Sequence, residues 1–374
     1  MFYENQHADT HKKYRQYLKV IGALSKLSSD SETPYLYYRM AEKVFCASFE
    51  AKDLSRSDVS SDAAKDGVGI GLKTFLAGNN QTFQKVAEFN KARSSYSHLS
   101  SEDLVFEIAR LRNKRLNFTR NAYDLDKAIY HCVVRDAMEF RIFEESMADI
   151  DVDSIQNIKK KRNTITFEDG NAEYSFSLSK STLLKRFITS EYVDRFVVRV
   201  LDNPLDELVS WFNESSSTTS APIRIVKSIF LPLYGRGGRV FDRSGLNQWN
   251  AMGRKRDPNE IYIPVPIWIH KKFPTFFPDR ETPFDLILPN GKSLKSKICQ
   301  DGGKALMSYS NKELGKWLLR DVLGLEEGQL VTTESLIDLG IDSVRIDKLY
   351  DGTFEINFSK LDSYEHFRSM ISKR

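Results

Sequence analysis

Within SDVSSDAAKDGVGIGLKTFLAGNNQTFQKVAEFNKAR, residues 57–93, an acid, Asp62, precedes an alternating stretch that carries a lysine, Lys73. A carboxylate can hold Mg²⁺ through oxygen, and the metal polarises a phosphate and lowers the pKa of a bound water. A nearby lysine positions the nucleophile and offsets developing negative charge. These are the parts that metal-dependent phosphodiester hydrolysis requires. On residue types alone the pair is weakly specific, because a turn and a solvated strand edge around glycines would look the same.

The layout resembles the PD-(D/E)XK nucleases. That family places Asp or Glu two residues before the lysine, whereas this chain has Gly71 there. The resemblance therefore implies an acid supplied from elsewhere. Glu88, fifteen residues after Lys73, lies with Gln84 on Asn80–Arg93, a segment whose spacing reads as a helix; one subgroup of the family carries its second acid on such a helix. Glu42, which ends Tyr-Arg-Met-Ala-Glu on the preceding helix, is the other candidate, and Asp58 and Asp66 are substitutes for Asp62. The implied catalytic set is Asp62, Lys73, Glu88 and Glu42. Mg²⁺ would be held by Asp62 with Glu88 or Glu42, and no small-molecule cofactor is implied.

A second resemblance lies between Val240 and Leu325. SGLNQWNAMGRKRDPNEIYIPVPIWIHKKFPTFFP, followed by FDLILPNGKSLKSKICQDGGKALMSYSNKELGKWLL, resembles the C-terminal DNA-binding domain of NgoFVII-type restriction endonucleases, which is related to the BfiI recognition domain and the plant B-three pseudobarrel. The blocks run in the same order: a basic arm, Ile-Pro, Phe-Pro, a hairpin, a second polar arm and a tryptophan helix. In that family two arms grip the major groove. Here the first arm offers Asn247, Gln248 and Asn250, whose amides suit adenine edges, and Arg254, Lys255 and Arg256 for guanine or phosphate. The second offers Gln300, Asp301, Lys304, Ser308, Tyr309, Asn311 and Lys312. Asp257 and Glu260 read as supporting ion-pair partners, Trp249 as arm packing and Trp317 as core.

The elements that would position these residues follow from periodicity. Tyr14–Leu27, Tyr35–Phe49, Thr82–Arg93 and Asp124–Ser146 show helical spacing, while Gly67–Phe75 alternates as a strand does. Thr164–Ser177 reads as a hairpin around Glu-Asp-Gly. Asn213–Pro222 is small and polar, the signature of a connection. Beyond it come short strands at Ile223–Leu233, Glu260–Val265, Phe284–Leu288, Ser293–Ile298, Val344–Leu349 and Thr353–Phe358, with turns at Pro289-Asn-Gly291 and Tyr350-Asp-Gly352 and one helix over Asn311–Leu323. The expected architecture is α+β and multidomain: an N-terminal α/β restriction-endonuclease-like core over 1–212, a linker over 213–222, and a mostly-β B-three-like pseudobarrel over 223–374.

Charge distribution agrees with a nucleic-acid partner. Residues 222–320 carry 18 Lys and Arg against 8 Asp and Glu, whereas residues 321–374 carry 6 against 11. A basic block of this kind is an electrostatic footprint for phosphates, although it also fits a surface that merely keeps the protein soluble. The 374 residues, 41% hydrophobic and 28% charged, exclude a disordered chain and make more than one core the expectation. Three dispersed cysteines exclude a disulfide framework or zinc cluster, and no apolar run reaches membrane length, so a bacterial cytoplasm is the expected location.

Lesser motifs carry little weight. Gly235–Arg239 is one RGG copy and reads as a turn. His270-Lys-Lys272 matches the HxK core of metal-independent phospholipase D nucleases but falls inside the recognition region. His7 and His11, one helical turn apart, read as part of a frayed polar terminus. Together the two resemblances imply a type II restriction endonuclease acting on double-stranded DNA as a homodimer. The rivals are a repressor-like binder without catalysis and a nuclease of metal-independent type.

Overall fold

The computed structural model describes residues 1–55, 59–214 and 225–372. Among these the chain divides into two compact units. The first holds residues 1–55, 60–113 and 125–214, and the second holds 114–124 and 225–372.

The first unit opens with α1 (Ala8–Ala23) and α2 (Tyr38–Phe49), followed by β1 (Lys52–Asp53), β2 (Ala63–Lys65), β3 (Val68–Leu76) and β4 (Gln81–Glu88). After α3 (Arg93–Tyr96), the long α4 (Ser101–Tyr123) leads to β5 (Lys127–Asp136) and β6 (Glu139–Ser146). The strands β7 (Gln156–Lys161), β8 (Thr164–Glu168), β9 (Glu173–Ser177), β10 (Thr182–Ile188) and β11 (Asp194–Val197) precede α5 (Pro204–Glu214). One sheet runs β1-β2-β3-β5-β6-β11 and the other β4-β10-β9-β8-β7. Strands β3 and β5 are parallel, so the chain must cross over between them, and α4 lies in that connection.

One face of the six-stranded sheet buries Ile70, Leu72, Val133 and Ile142 under Tyr14, Leu18, Phe45 and Phe49 of α1 and α2. On its other face Phe75, Tyr130 and Phe143 meet Phe187 of β10. The expected helices over Tyr14–Leu27 and Tyr35–Phe49, the strand over Gly67–Phe75 and the hairpin at Thr164–Ser177 are all present.

Three expectations fail. Thr82–Arg93 is mainly strand β4, because the pairing with β10 shifts register at Leu183/Leu184, opposite Lys85 and Ala87. The extra residue, Val86, breaks the two-residue alternation and leaves spacings that mimic a helix. Asp124–Ser146 is the hairpin of β5 and β6. Strand β5 is flanked by β3 and β6 and largely buried, so its near-continuous apolar run carries no alternation to read. The N-terminus is not frayed: Phe2 packs on Phe45 and Phe49, Tyr3 is buried, and His11 stacks on Tyr3 with ring centres 4.2 Å apart.

The second unit contains β12 (Ile225–Pro232), β13 (Ile263–Pro264), α6 (Ile267–Lys272), β14 (Phe284–Ile287), β15 (Ser293–Cys299) and β16 (Ala305–Ser308). Then follow α7 (Glu313–Gly315), which widens into a π-helical turn over Lys316–Val322, α8 (Thr333–Leu339), β17 (Ile341–Leu349), β18 (Phe354–Lys360) and α9 (Ser363–Ser372). One curled sheet of order β12-β17-β18-β14-β15-β16-β13 forms a half-barrel, antiparallel except for β14 beside β18. Of the expected linker, Asn213 and Glu214 close α5, and residues 215–222 lie outside the described residues. Trp317 is buried and stacked on Phe358, as its expected core role requires.

Candidate functional site

In the first unit, β2 spans three residues and β3 nine, so β3 outruns its partner after Ile70. Asp62, which immediately precedes β2, fills that gap. Its N–H donates to Ile70 O at 2.8 Å, and its Oδ2 accepts the Leu72 N–H at 2.7 Å. Lys73, the next residue on β3, is half-buried, with Nζ 5.9 Å from the centre of the Tyr130 ring.

Glu42 joins this group from α2 and is buried. Arg39, one turn earlier, donates from Nη1 to Glu42 Oε2 and to Ser55 O, each at 3.0 Å. Asp53 on β1 pairs with Lys43 and accepts the Ser55 N–H. Burial pushes the Asp62 carboxyl above the usual carboxylate range, and the Lys73 charge, the Leu72 N–H and Arg39 oppose that rise. Glu42 is raised too, first by burial and then by the negative charge of Asp62, with Arg39 acting against both. Glu42 thus senses the charge of Asp62.

Of the predicted catalytic residues, Asp62 feels the charge of Lys73 and acts on Glu42; Glu42 sits on α2, which covers the Ile70 and Leu72 face, whereas Lys73 reaches over Tyr130 on the other face. Glu88 stands apart at the end of β4, in the other sheet, where Lys85 Nζ contacts it at 2.9 Å and Asn90 also donates to it. Its inclusion rested on a helix that does not exist. Asp66 is exposed at the β2–β3 turn with φ 48°, and Asp58 lies outside the described residues. At Gly71 a side chain would be crowded: a Cβ would displace Met147 Cε and come within 3.2 Å of Tyr130. Sequence reasoning missed Arg39, although its place three residues before Glu42 on a helix was legible.

In the second unit both arms feed adjacent strands. The first passes through a 3-10 stretch at Gly245–Asn250 into β13, and the second leads into β16, with Ile263 opposite Leu306. Two predicted DNA contacts are structural instead. Asn247 is fully buried, donating to Phe241 O and Val331 O and accepting the Val331 N–H at 2.9 Å. Ser308 is fully buried and caps Leu314 N–H at 3.1 Å. Burial keeps both from a base edge.

The others remain accessible to differing degrees. Glu260, buried, accepts Gln248 Nε2 at 2.8 Å and pairs with Arg254 and, at 3.3 Å, with Arg256. That is the ion-pair role expected of it. Arg256 also ties down the arm by donating to Ala251 O at 2.6 Å, and Asn250 donates to Asp242 O. Gln300 Nε2 donates to Gln248 Oε1 at 3.4 Å, so the two arms touch. Lys255, Asp301, Lys304, Tyr309, Asn311 and Lys312 are exposed. The seat of the first arm is tight: a Cβ on Gly315 would overlap the Asn259 carbonyl, and Arg320 donates to Asn259 Oδ1 and Pro258 O. His270, the first residue of the HxK motif, bonds Gly303 O through Nε2 at 2.9 Å.

Residues 223–350 match the model of the NgoFVII C-terminal B3-like DNA-binding domain. NgoFVII is a restriction enzyme, and the curled half-barrel fits such a domain. The second unit is thus similar to a restriction enzyme's B3-like DNA-binding domain, which supports double-stranded DNA as a partner. No curated protein matches the chain. Among the described residues no helix is long and apolar enough to cross a membrane.

Proposed function

We propose that the chain is a type II restriction endonuclease that hydrolyses both strands of a short duplex sequence, leaving 5′-phosphate and 3′-hydroxyl ends. The observation that carries this reading is Asp62 held at the open edge of β3 by the Leu72 N–H, beside Lys73, in a chain whose second unit matches a restriction enzyme's DNA-binding domain. The parallel β3–β5 pair with its helical crossover suits a PD-(D/E)XK core.

Mg²⁺ fits the donor set. Among the described residues no three His, Cys, Asp or Glu side chains form a metal cage. Mg²⁺ does not need one, since it is commonly held by one or two carboxylates together with substrate phosphates and waters. Asp62 and Glu42 would supply those carboxylates, and the negative charge of Asp62, which adds to burial in raising Glu42, is what a bound cation would offset. When bound, the ion would polarise the scissile phosphate and make water a better nucleophile. The Leu72 N–H fixes the rotamer of Asp62. Lys73 holds a positive charge beside it, orients the attacking water and stabilises the charge that builds on the phosphate. Arg39 holds Glu42 in place. Cutting two antiparallel strands calls for two such centres, hence a homodimer, formed in solution or on DNA.

A binder without catalysis is the second reading, favoured by Gly71, which lacks the family's acid and is crowded by Met147 and Tyr130. Incubating plasmid with the protein and Mg²⁺ separates the two. Discrete fragments support the nuclease; a sequence-dependent gel shift with intact plasmid across several divalent metals and salt concentrations would establish the binder.

A further inference from the structure

We infer that Glu260 is a positioning residue that makes the two arms read DNA as one coupled unit, through the chain Arg254–Glu260–Gln248–Gln300. The inference rests on the second unit being a sequence-specific DNA reader.

Glu260 sits at the root of the first arm, buried, just before the strand that carries Ile263. A carboxylate in that position must be compensated, and three side chains of its own arm do so: the Gln248 amide at 2.8 Å and the guanidinium groups of Arg254 and Arg256. These interactions fix the amide of Gln248. With Nε2 committed to Glu260, its Oε1 faces Gln300 of the second arm and takes that residue's N–H at 3.4 Å. Gln300 itself holds a left-handed backbone, φ 65°, at the start of its loop. A non-glycine residue persists in that conformation when its surroundings determine it. The amide of one arm is therefore set by a carboxylate in the other.

Base-edge readout by Gln or Arg depends on presenting donors and acceptors in a fixed order. Removing Glu260 would let Gln248 turn end for end and free Arg254 from its anchor, while Arg256 keeps its bond to Ala251 O. Such side chains must then be ordered on binding, at about 0.5 to 1.5 kcal/mol each, so specific affinity falls. Phosphate attraction would not fall with it, because a negative charge has been removed near the backbone contacts. The signature is lost discrimination without lost general affinity.

The test uses the full chain and a random-sequence duplex pool without Mg²⁺, followed by titration of the enriched duplex and a scrambled one. Glu260→Ala is expected to lower the ratio of specific to scrambled affinity about tenfold, the order expected for two freed side chains. Its affinity for the scrambled duplex should be unchanged or higher. Glu260→Gln keeps an acceptor for Gln248 and should recover part of the ratio. Gln300→Ala, which leaves the buried carboxylate intact, serves if Glu260→Ala does not fold. It should blur the base preference at the positions set by Gln248 as well as at its own, whereas Lys304→Ala should not. A ratio unchanged within about twofold in Glu260→Ala, or a Gln300→Ala change confined to one cluster of positions, overturns the proposal. Failure of the wild type to enrich any sequence overturns the underlying reading instead.

Discussion

The carboxylate of Asp62 accepts the Leu72 N–H at 2.7 Å, across the gap where β2 has ended and β3 continues. An acid is thereby held at a strand edge, one residue along from Lys73. The same bond makes Asp62 a strand-completing residue as well as a candidate metal ligand, so its two roles need separating by substitution.

Lys73→Ala should abolish plasmid cleavage and leave affinity for the enriched duplex nearly unchanged, because the residue lies outside the DNA-binding domain. Gel shift and digestion on the same preparation check this. Normal cutting by the variant would remove Lys73 from the chemistry.

Asp62→Asn keeps an oxygen for the Leu72 N–H but removes the charge. The Asp62 pKa is raised in the folded state, so between the unfolded value of about 4 and that higher value the folded form binds the extra proton. Stability contributed by this group is greatest below that window and falls as pH rises through it. At neutral pH without divalent metal, Asp62→Asn should therefore melt higher than the wild type while failing to cut. A lower melting temperature in calorimetry would show that the carboxylate is a net stabiliser.

Glu42→Gln and Glu88→Gln should part company. The first removes a carboxylate that senses Asp62 and should eliminate Mg²⁺-dependent cleavage; the second alters the end of β4 and should cut at close to the wild-type rate. Equal losses in a digestion time course would contradict the grouping of acids given above.

Restoring the family's acid should fail. Gly71→Asp places a Cβ against Met147 and Tyr130 and buries a carboxylate among them. Overpacking alone costs about 1 to 3 kcal/mol. Denaturant unfolding should show at least that loss, and a variant that is both stable and more active would mean that this side of β3 is open.

In the second unit, Lys255→Ala should lower the slope of log affinity against log salt by about one if Lys255 meets a phosphate. Arg256→Ala should instead weaken specific binding, because its guanidinium holds the Ala251 carbonyl. If both variants change only the salt slope, the tethering role assigned to Arg256 fails.

The parts of this molecule that were legible in sequence are those where local chemistry decides structure. Val68, Ile70 and Leu72 alternate with Gly69, Gly71 and Lys73 because they pack on the face covered by α1 and α2, and Glu-Asp-Gly and Pro-Asn-Gly turn because glycine tolerates positive φ. Tertiary context hid the rest. A bulge at Val86 disguised a strand as a helix, and with it went the case for Glu88. Asn247 and Ser308 have residue types that suit DNA contact, and only packing shows that both are buried and hold backbone groups of their own domain. Arg39 became relevant through the fold, by joining Glu42 to the Ser55 carbonyl.

Gly315 has a practical bearing on retargeting this reader to other sites. Because the Asn259 carbonyl rests where a Cβ would be, any larger residue at 315 must push the base of the first arm out of its seat. Libraries aimed at new preferences should vary the outward-facing Arg254, Lys255, Lys304 and Lys312, and leave Asn247, Ser308 and Gly315 as fixed foundations.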